Sequence, residues 1–286
     1  MLNTEQTVPS TKPKEYLPGE TPEQRKHRLR REKGWKKEPA KPAPQSKAQP
    51  KKLVGDNFVV CLKWGDKYSA DYVNKLHNMV ARNLTLPYKF VCFTENKNGL
   101  DPDILTFPLP ELPVKGWWYK PYFLGNDLPL KGNILFLDLD LIVFNNIDKL
   151  FTYKPNAPFV IIRDFNRQVR KNWDRVNSSV FRIQSGAKDT QYQEFVKRHS
   201  EHTKRMPGDQ DWMYRFCKPY EYWPDEWIQS YKWEMRGRQT LTVTKTGRNF
   251  KEPGEPIILP DTSIAVFHGK PDIHEAVDEW PRKNWY

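Results

Sequence analysis

The sequence predicts an α/β domain built on a largely parallel sheet. Three observations carry that expectation. A strand, a helix and a second strand follow one another between residues 58 and 94, the spacing of a βαβ unit. The apolar run 133–144 (NILFLDLDLIVF) is long enough for a strand buried on both faces. Polar residues gather where the apolar runs end, which is where open α/β sheets bind ligands.

Residues 1–55 read as a disordered basic tail and linker, and 56–286 as one folded domain. The chain has 286 residues and a net charge of +12. Residues 1–52 hold 14 Lys and Arg against 6 Glu, and 8 of the 25 Pro, but only two aromatics, Tyr16 and Trp35. Such a composition cannot bury enough apolar area to offset chain entropy. Within it, 22–37 has the makings of a basic helix, with Thr21 as N-cap and Pro22 at the first position. The tail is expected to be solvated, or to serve as an electrostatic tether to an anionic membrane surface or to nucleic acid. The remainder is nearly charge-balanced, 33 against 29, with no basic stripe, which argues against a specific nucleic-acid binder.

The elements follow in order. The first strand is 58–62 (FVVCL), ending in Lys63-Trp64-Gly65-Asp66-Lys67-Tyr68. Ser69 caps a helix to about Arg82, with Tyr72, Val73, Leu76, Met79 and Val80 at helical spacing. Strands are expected at 89–94 and 104–107. The aromatic segment 117–126 holds a short helix on one side of Pro121. After the run 133–144, strands are expected at 158–163, ending at Asp164, and at 177–183. Asp189 opens a helix to about His199. Gly208-Asp209-Gln210-Asp211 opens another whose apolar side is Trp212, Met213, Phe216 and Cys217. Residues 218–256 are Trp- and Pro-rich and show no order. The last buried strand, 264–267, ends in His268-Gly269-Lys270-Pro271. No internal repeat is visible.

The three cysteines, Cys61, Cys92 and Cys217, are far apart, so neither a zinc cluster nor a disulfide framework is expected. With no signal peptide at 1–10 and no apolar segment near the roughly 18 residues of a membrane span, a soluble cytoplasmic protein is expected, with peripheral membrane contact through the tail.

The chemistry is expected at the two carboxylates inside the apolar run. A buried charge is costly unless paired, hydrogen-bonded or metal-bound. Asp138 and Asp140 are two apart, so in extended chain they share a side. Two converging carboxylates suit a hard divalent cation; the plain alternative is a turn cap or an Arg partner. His268, after its apolar run, adds an imidazole, and a mixed N/O set suits manganese as well as magnesium. A nucleoside diphosphate would complete the coordination, with Lys270 neutralising phosphate and Trp64 or Tyr68 offering a ring to the base.

The residues then resemble a known group, the GT-A glycosyltransferases, in particular the retaining, metal-dependent glycogenin and lipopolysaccharide galactosyltransferase type. The likeness spans roughly 56–275. Its most specific piece is Phe136-Leu137-Asp138-Leu139-Asp140, similar to the metal-binding strand. His268-Gly269-Lys270-Pro271 resembles a compressed His-x-x-Gly-x-x-Lys-Pro segment, Asn177-Ser178-Ser179-Val180 an Asn-Ser-Gly-Val stretch, and Asp209-Gln210 an Asp-Gln pair. The resemblance implies transfer from a nucleotide-sugar donor, most often UDP-linked, to a glycan, lipid or protein acceptor. It implies Mn2+ or Mg2+ on Asp138, Asp140 and His268, and Lys270 at the diphosphate. Lys63, Trp64 and Tyr68 would lie at the nucleoside, and Lys120 beside the carboxylates or donor. Asp164, Asn177, Asp209 and Gln210 would border the transferred sugar. Ser179 and the shortened His-Gly-Lys-Pro segment depart from the pattern and bear on the donor sugar. An inverting reaction would need Asp209 or Asp211 as base.

A second reading is a haloacid-dehalogenase-type phosphatase, with Asp138 as nucleophile, Asp140 as acid/base, Asp209 and Asp211 as a later acidic pair and Lys188 as its lysine. That motif normally opens its domain, whereas about 80 structured residues precede Asp138 here, and His268-Gly269-Lys270-Pro271 would have no role.

Overall fold

The structure, a computed structural model, describes residues 52–237, 241–244, 247–250 and 254–286, together with Thr21, Arg25 and Arg28. The chain divides into two compact units, Met1–Gln49 and Pro50–Tyr286. In the first, Arg25 and Arg28 are helical and the Arg25 N–H donates to the Thr21 carbonyl (2.9 Å), in keeping with a helix starting at Thr21. The rest of the tail expected at 1–55 lies, up to residue 51, outside the described residues.

The second unit is built on seven strands in the order β3 (Leu105–Phe107), β2 (Lys89–Thr94), β1 (Leu53–Lys63), β4 (Leu130–Leu137), β7 (Val176–Gln184), β6 (Phe159–Arg163) and β8 (Glu221–Tyr222). β1 runs parallel to β2 and β4, and β2 parallel to β3, as the strand–helix–strand spacing required. β7 is antiparallel to both β4 and β6. β1 begins ahead of the expected residue 58 because Leu53 and Val54 pair with Leu130 and Lys131. At that junction a Cβ on Gly132 would lie 1.9 Å from the Gly55 carbonyl, so only glycine allows the two backbones to approach.

The pleat sends alternate residues to opposite faces. Val59, Cys61, Phe90, Cys92, Leu135 and Leu137 join one buried cluster, while Phe58, Val60, Val91, Phe93, Ile134 and Phe136 join the other. Each large apolar side chain so buried is worth about 1.5–3 kcal/mol. On the first face lies α1 (Ala70–Asn83), which buries the five residues expected of it. With it sits a small sheet of β5 (Leu141–Val143), β12 (Ile264–Val266) and β9 (Ile228–Ser230). The other face is covered by 3₁₀ turns at Gly116–Leu124, by α3 (Asp189–Arg205) and by α4 (Asp209–Phe216). The turns run through Pro121 rather than stopping beside it.

Residues 218–256, for which no order is expected from sequence, contain β8, β9, a π-helical turn (Tyr231–Met235) and a hairpin of β10 (Leu241–Thr244) and β11 (Gly247–Phe250). The chain closes with α5 (Glu279–Asn284), and a short α2 (Asp148–Thr152) follows β5. Arg182 on β7 is 1% exposed and pairs with no carboxylate among the described residues; it donates instead to the carbonyls of Phe151, Tyr153 and Lys154 (2.6–2.8 Å) at the end of α2. Among the described residues no helix is long and apolar enough to cross a membrane. The three cysteines are buried free thiols.

Candidate active site

The run 133–144 is not one strand. β4 ends at Leu137, β5 begins at Leu141, and the two belong to different sheets. Asp138-Leu139-Asp140 is the crossing. Its backbone is pinned at both ends: the Asp138 N–H donates to the Ser179 carbonyl of β7 (2.9 Å), and the Asp140 carbonyl accepts from the Phe267 N–H just after β12 (2.8 Å). Leu139 is buried between them. The crossing explains the carboxylates: a strand interior has no room for two charges, but the gap between two sheets opens into a cleft.

The cleft has a volume of about 390 Å³. Leu62, Trp64, Lys67 and Tyr68 line it after β1, and Asp138–Asp140 line it after β4. Asn177, Ser178 and Ser179 come from β7, Gly208–Asp211 from the start of α4, and His268 and Gly269 from the end of β12. Trp117, half exposed, stands at the rim.

Behind the crossing sits Lys120, buried by the 3₁₀ turns. Its Nζ donates to Asp138 Oδ2 (2.8 Å) and to the carbonyl and Oγ of Ser178 (3.2 and 3.3 Å), and lies 3.8 Å from Asp209 Oδ2. Burial works against its charge, but Asp138 and Asp209 outweigh it and hold the pKa above the ordinary lysine value. Asp209, 5% exposed, is the first residue of α4, where a carboxylate is favoured by the helix dipole. Burial raises its pKa, against the pull of Lys120 and a hydrogen bond from Ser178. Its Oδ2 has no hydrogen-bond partner among the described residues.

Asp140 is held less tightly. Its Oδ2 accepts only a long hydrogen bond from Tyr68 (3.4 Å). Burial, and then repulsion by Asp138, raise its pKa to about 6, with Lys67 and Lys120 pulling the other way. Tyr68 is kept protonated by burial and by Asp140, and its hydroxyl oxygen accepts from Lys67 Nζ (2.6 Å). Gln210 is fixed by its amide: Nε2 donates to Asp164 Oδ2 (3.4 Å), and Oε1 accepts from Asn177 Nδ2 (3.5 Å). Asp164 is buried behind the cleft, capping the turn Phe165–Gln168 through Asn166 (2.8 Å). Asp211 is tied to Arg175 (3.1 Å).

His268 lines the cleft with its Nε2 2.7 Å from Ser230 Oγ and its ring stacked on Phe165 (centroids 5.1 Å, 12°). Among the described residues, no three His, Cys, Asp or Glu side chains gather closely enough to hold a metal ion. The donor chemistry of the cleft nevertheless suits a divalent cation: two carboxylates crowd one another, and only one of them has a cation in contact. An imidazole, His268, lines the same cleft at the end of β12, the strand that pairs with β5.

Besides Asp164, two expected positions lie outside the cleft lining. Lys270 Nζ turns to Asp272 Oδ2 (2.7 Å) and Glu275 Oε1 (2.6 Å), a surface ion-pair group outside the cleft lining. Lys63, between Leu62 and Trp64, is buried on the side of β1 away from the cleft lining, as alternation requires. Two lysines take up the space. Lys67, half exposed, lines the cleft. The buried Lys232 donates to the carbonyls of His268 and Lys270 (2.6 Å to the latter), holding the turn at Gly269, whose φ of +67° suits glycine. Lys67 stood within the polar strand end 63–68 without being singled out; Lys232 fell in a segment with no readable pattern. Lys188 donates to the Pro219 carbonyl (2.7 Å) outside the cleft, which removes the lysine that a phosphatase would need beside Asp138.

Residues 115–234 match the family model described as nucleotide-diphospho-sugar transferase. The matched stretch holds Lys120, the Asp138–Asp140 crossing, Asp164, Asn177, Asp209 and Gln210, but neither Trp64–Tyr68 nor His268. No curated protein sequence matches the chain. Among solved structures, an active-site mutant of LgtC superposes with a TM-score of 0.54 at 11% identity, over 79% of this chain and 93% of that one. The apo form of the glycosyltransferase GlyE from Streptococcus pneumoniae TIGR4 gives 0.56 at 15% identity, over 81% of this chain and 59% of GlyE. The bifunctional glycosyltransferase WbbM gives 0.51 at 12%, over 76% of this chain and 46% of WbbM. The fold is GT-A.

Proposed function

We propose that this chain is a metal-dependent glycosyltransferase that moves a hexosyl group from a UDP-linked sugar to an acceptor hydroxyl, with retention at the anomeric carbon. The observation that carries this reading is the Asp138-Leu139-Asp140 crossing, with Lys120 and Asp209 converging on its inner side. Asp138 and Asp140, with His268 as a third ligand from the end of β12, would hold Mn2+ or Mg2+. A bound cation would neutralise charge building on the leaving diphosphate.

The chain's own groups do the rest. Lys67, rather than Lys270, supplies the cation for the diphosphate, since Lys67 lines the cleft and its Nζ bonds the Tyr68 hydroxyl there (2.6 Å). Trp64 offers a ring face to the base. Asp209 Oδ2, lacking a hydrogen-bond partner, accepts from a hydroxyl of the transferred sugar. Gln210, oriented by Asp164 and Asn177, borders the anomeric carbon. Retention is favoured because both candidate bases face cations, Asp209 beside Lys120 and Asp211 bonded to Arg175. The bond from the anomeric carbon to phosphate then breaks as the acceptor oxygen bonds to the same face. The acceptor proton passes to the departing phosphate oxygen.

The test is release of UDP from a panel of UDP-sugars with Mn2+, followed by NMR of the new linkage formed on an added acceptor. UDP release with an α-linked product from an α-linked donor supports the reading. A β-linked product would overturn retention, and turnover of phosphomonoesters without UDP-sugar turnover would overturn the whole.

A further inference from the structure

Beyond Arg163, the chain makes a long turn before entering β7, and this turn walls a second concavity of about 510 Å³. Arg163, Arg167, Arg170 and Lys171 line it, with Trp173 and a single carboxylate, Asp174. Two of the cations are neutralised: Arg167 pairs with Asp225 (3.1 Å) and Glu234 (2.7 Å), and Arg163 with Asp225 (3.3 Å). Arg170 and Lys171 are exposed and pair with no carboxylate among the described residues.

Trp173 marks the floor. The guanidinium of Arg170 lies 4.5 Å from its ring centroid and that of Arg175 4.6 Å, so two like charges share one indole. Its Nε1–H is buried and finds no acceptor among the described residues. The charges converge on a hollow, and an Arg fork beside an ammonium is what holds a phosphate or carboxylate. Arg175, over the Trp173 ring, bonds Asp211 on the cleft wall (3.1 Å) and so links the hollow to the cleft.

We infer that this concavity is an acceptor subsite for an anionic saccharide, one bearing a phosphate or carboxylate next to the hydroxyl that receives the sugar. The acceptor role rests on the transferase reading; the anion site is testable apart from it.

The full chain is titrated with glucose 6-phosphate, glucuronate, glucose and inorganic phosphate. The Trp173 indole N–H resonance is followed, assigned by its loss in Trp173→Phe. The sugar anions should shift it more strongly than inorganic phosphate, and glucose should leave it in place. In Arg170→Ala/Lys171→Ala the sugar-anion affinity should fall by about tenfold or more. UDP with Mn2+, titrated in parallel, should bind both proteins alike. Unchanged sugar-anion affinity in the double variant overturns the subsite. So does capture by phosphatidylserine vesicles that the double variant loses, without a response to sugar anions. Failure of UDP to bind the wild type would strike the donor reading alone, since the anion titration does not use that cleft.

Discussion

Asp140 carries an uncompensated cost that a ligand can relieve. Its carboxyl is raised from the ordinary 3.8 to about 6 by burial and by Asp138. For an acid raised in the folded state, the folded protein holds the proton more tightly than the unfolded chain does. The free protein therefore gains stability as pH falls through about 6 towards the ordinary value. A cation needs the deprotonated form, so cation-dependent UDP binding should be full above about pH 6 and weaken up to tenfold per unit below it. Calorimetry at pH 5 and 7.5 checks this; equal affinities would remove Asp140 from the cation site. At the same scale, Lys67→Ala should weaken UDP binding by roughly 10- to 100-fold, the worth of a charge-assisted hydrogen bond, whereas Lys270→Ala should hardly change it. The opposite ranking would restore Lys270 to the diphosphate. From sequence, Lys270 was the natural choice because it follows His268 by two. That spacing does not reveal that Asp272 and Glu275 close on it first.

The elements that place the site depend on buried cations that gather backbone carbonyls. Arg182 gathers the carbonyls at the end of α2, so Arg182→Met leaves them unpaired and should cost about 3–5 kcal/mol. A thermal melt should fall by roughly 6–20 °C with UDP affinity retained in the folded protein; an unchanged melting temperature would contradict the assignment. Lys232 does the same for the turn His268-Gly269-Lys270. Lys232→Met should lower both stability, by about 1–3 kcal/mol, and UDP affinity, because the turn carries His268. Loss of stability alone would separate the turn from the site. Helix α1 and strands β2 and β6 were legible because one apolar period runs through each. The Asp138–Asp140 crossing was legible as chemistry but not as geometry. Its apolar flanks read as one strand, and only the partners Ser179 and Phe267 show that two sheets meet there.

For the whole molecule, every residue lining the cleft lies within the unit Pro50–Tyr286. A chain lacking residues 1–51 should therefore bind UDP and Mn2+ as the full chain does, and a loss on truncation would make the tail part of the site. The α/β architecture was readable from periodicity and from polar residues at strand ends, because burial on both sheet faces imposes near-continuous apolar runs. The return path through β8 to β11 was not readable: its strands are two to four residues long, too short for a period, and β8 and β9 are held by partners distant in sequence. Lys232 sits on that path, which is why a residue central to the His268 turn gave no signal.

The central claim is that the Asp138–Asp140 crossing binds a cation and a nucleoside diphosphate together. Titrating UDP by calorimetry into wild type and Asp140→Asn, with and without Mn2+, tests it most directly. The account predicts strong binding only with Mn2+, and its loss in a variant that melts no lower than wild type. UDP binding that ignores Mn2+, or that survives unchanged in Asp140→Asn, would contradict it.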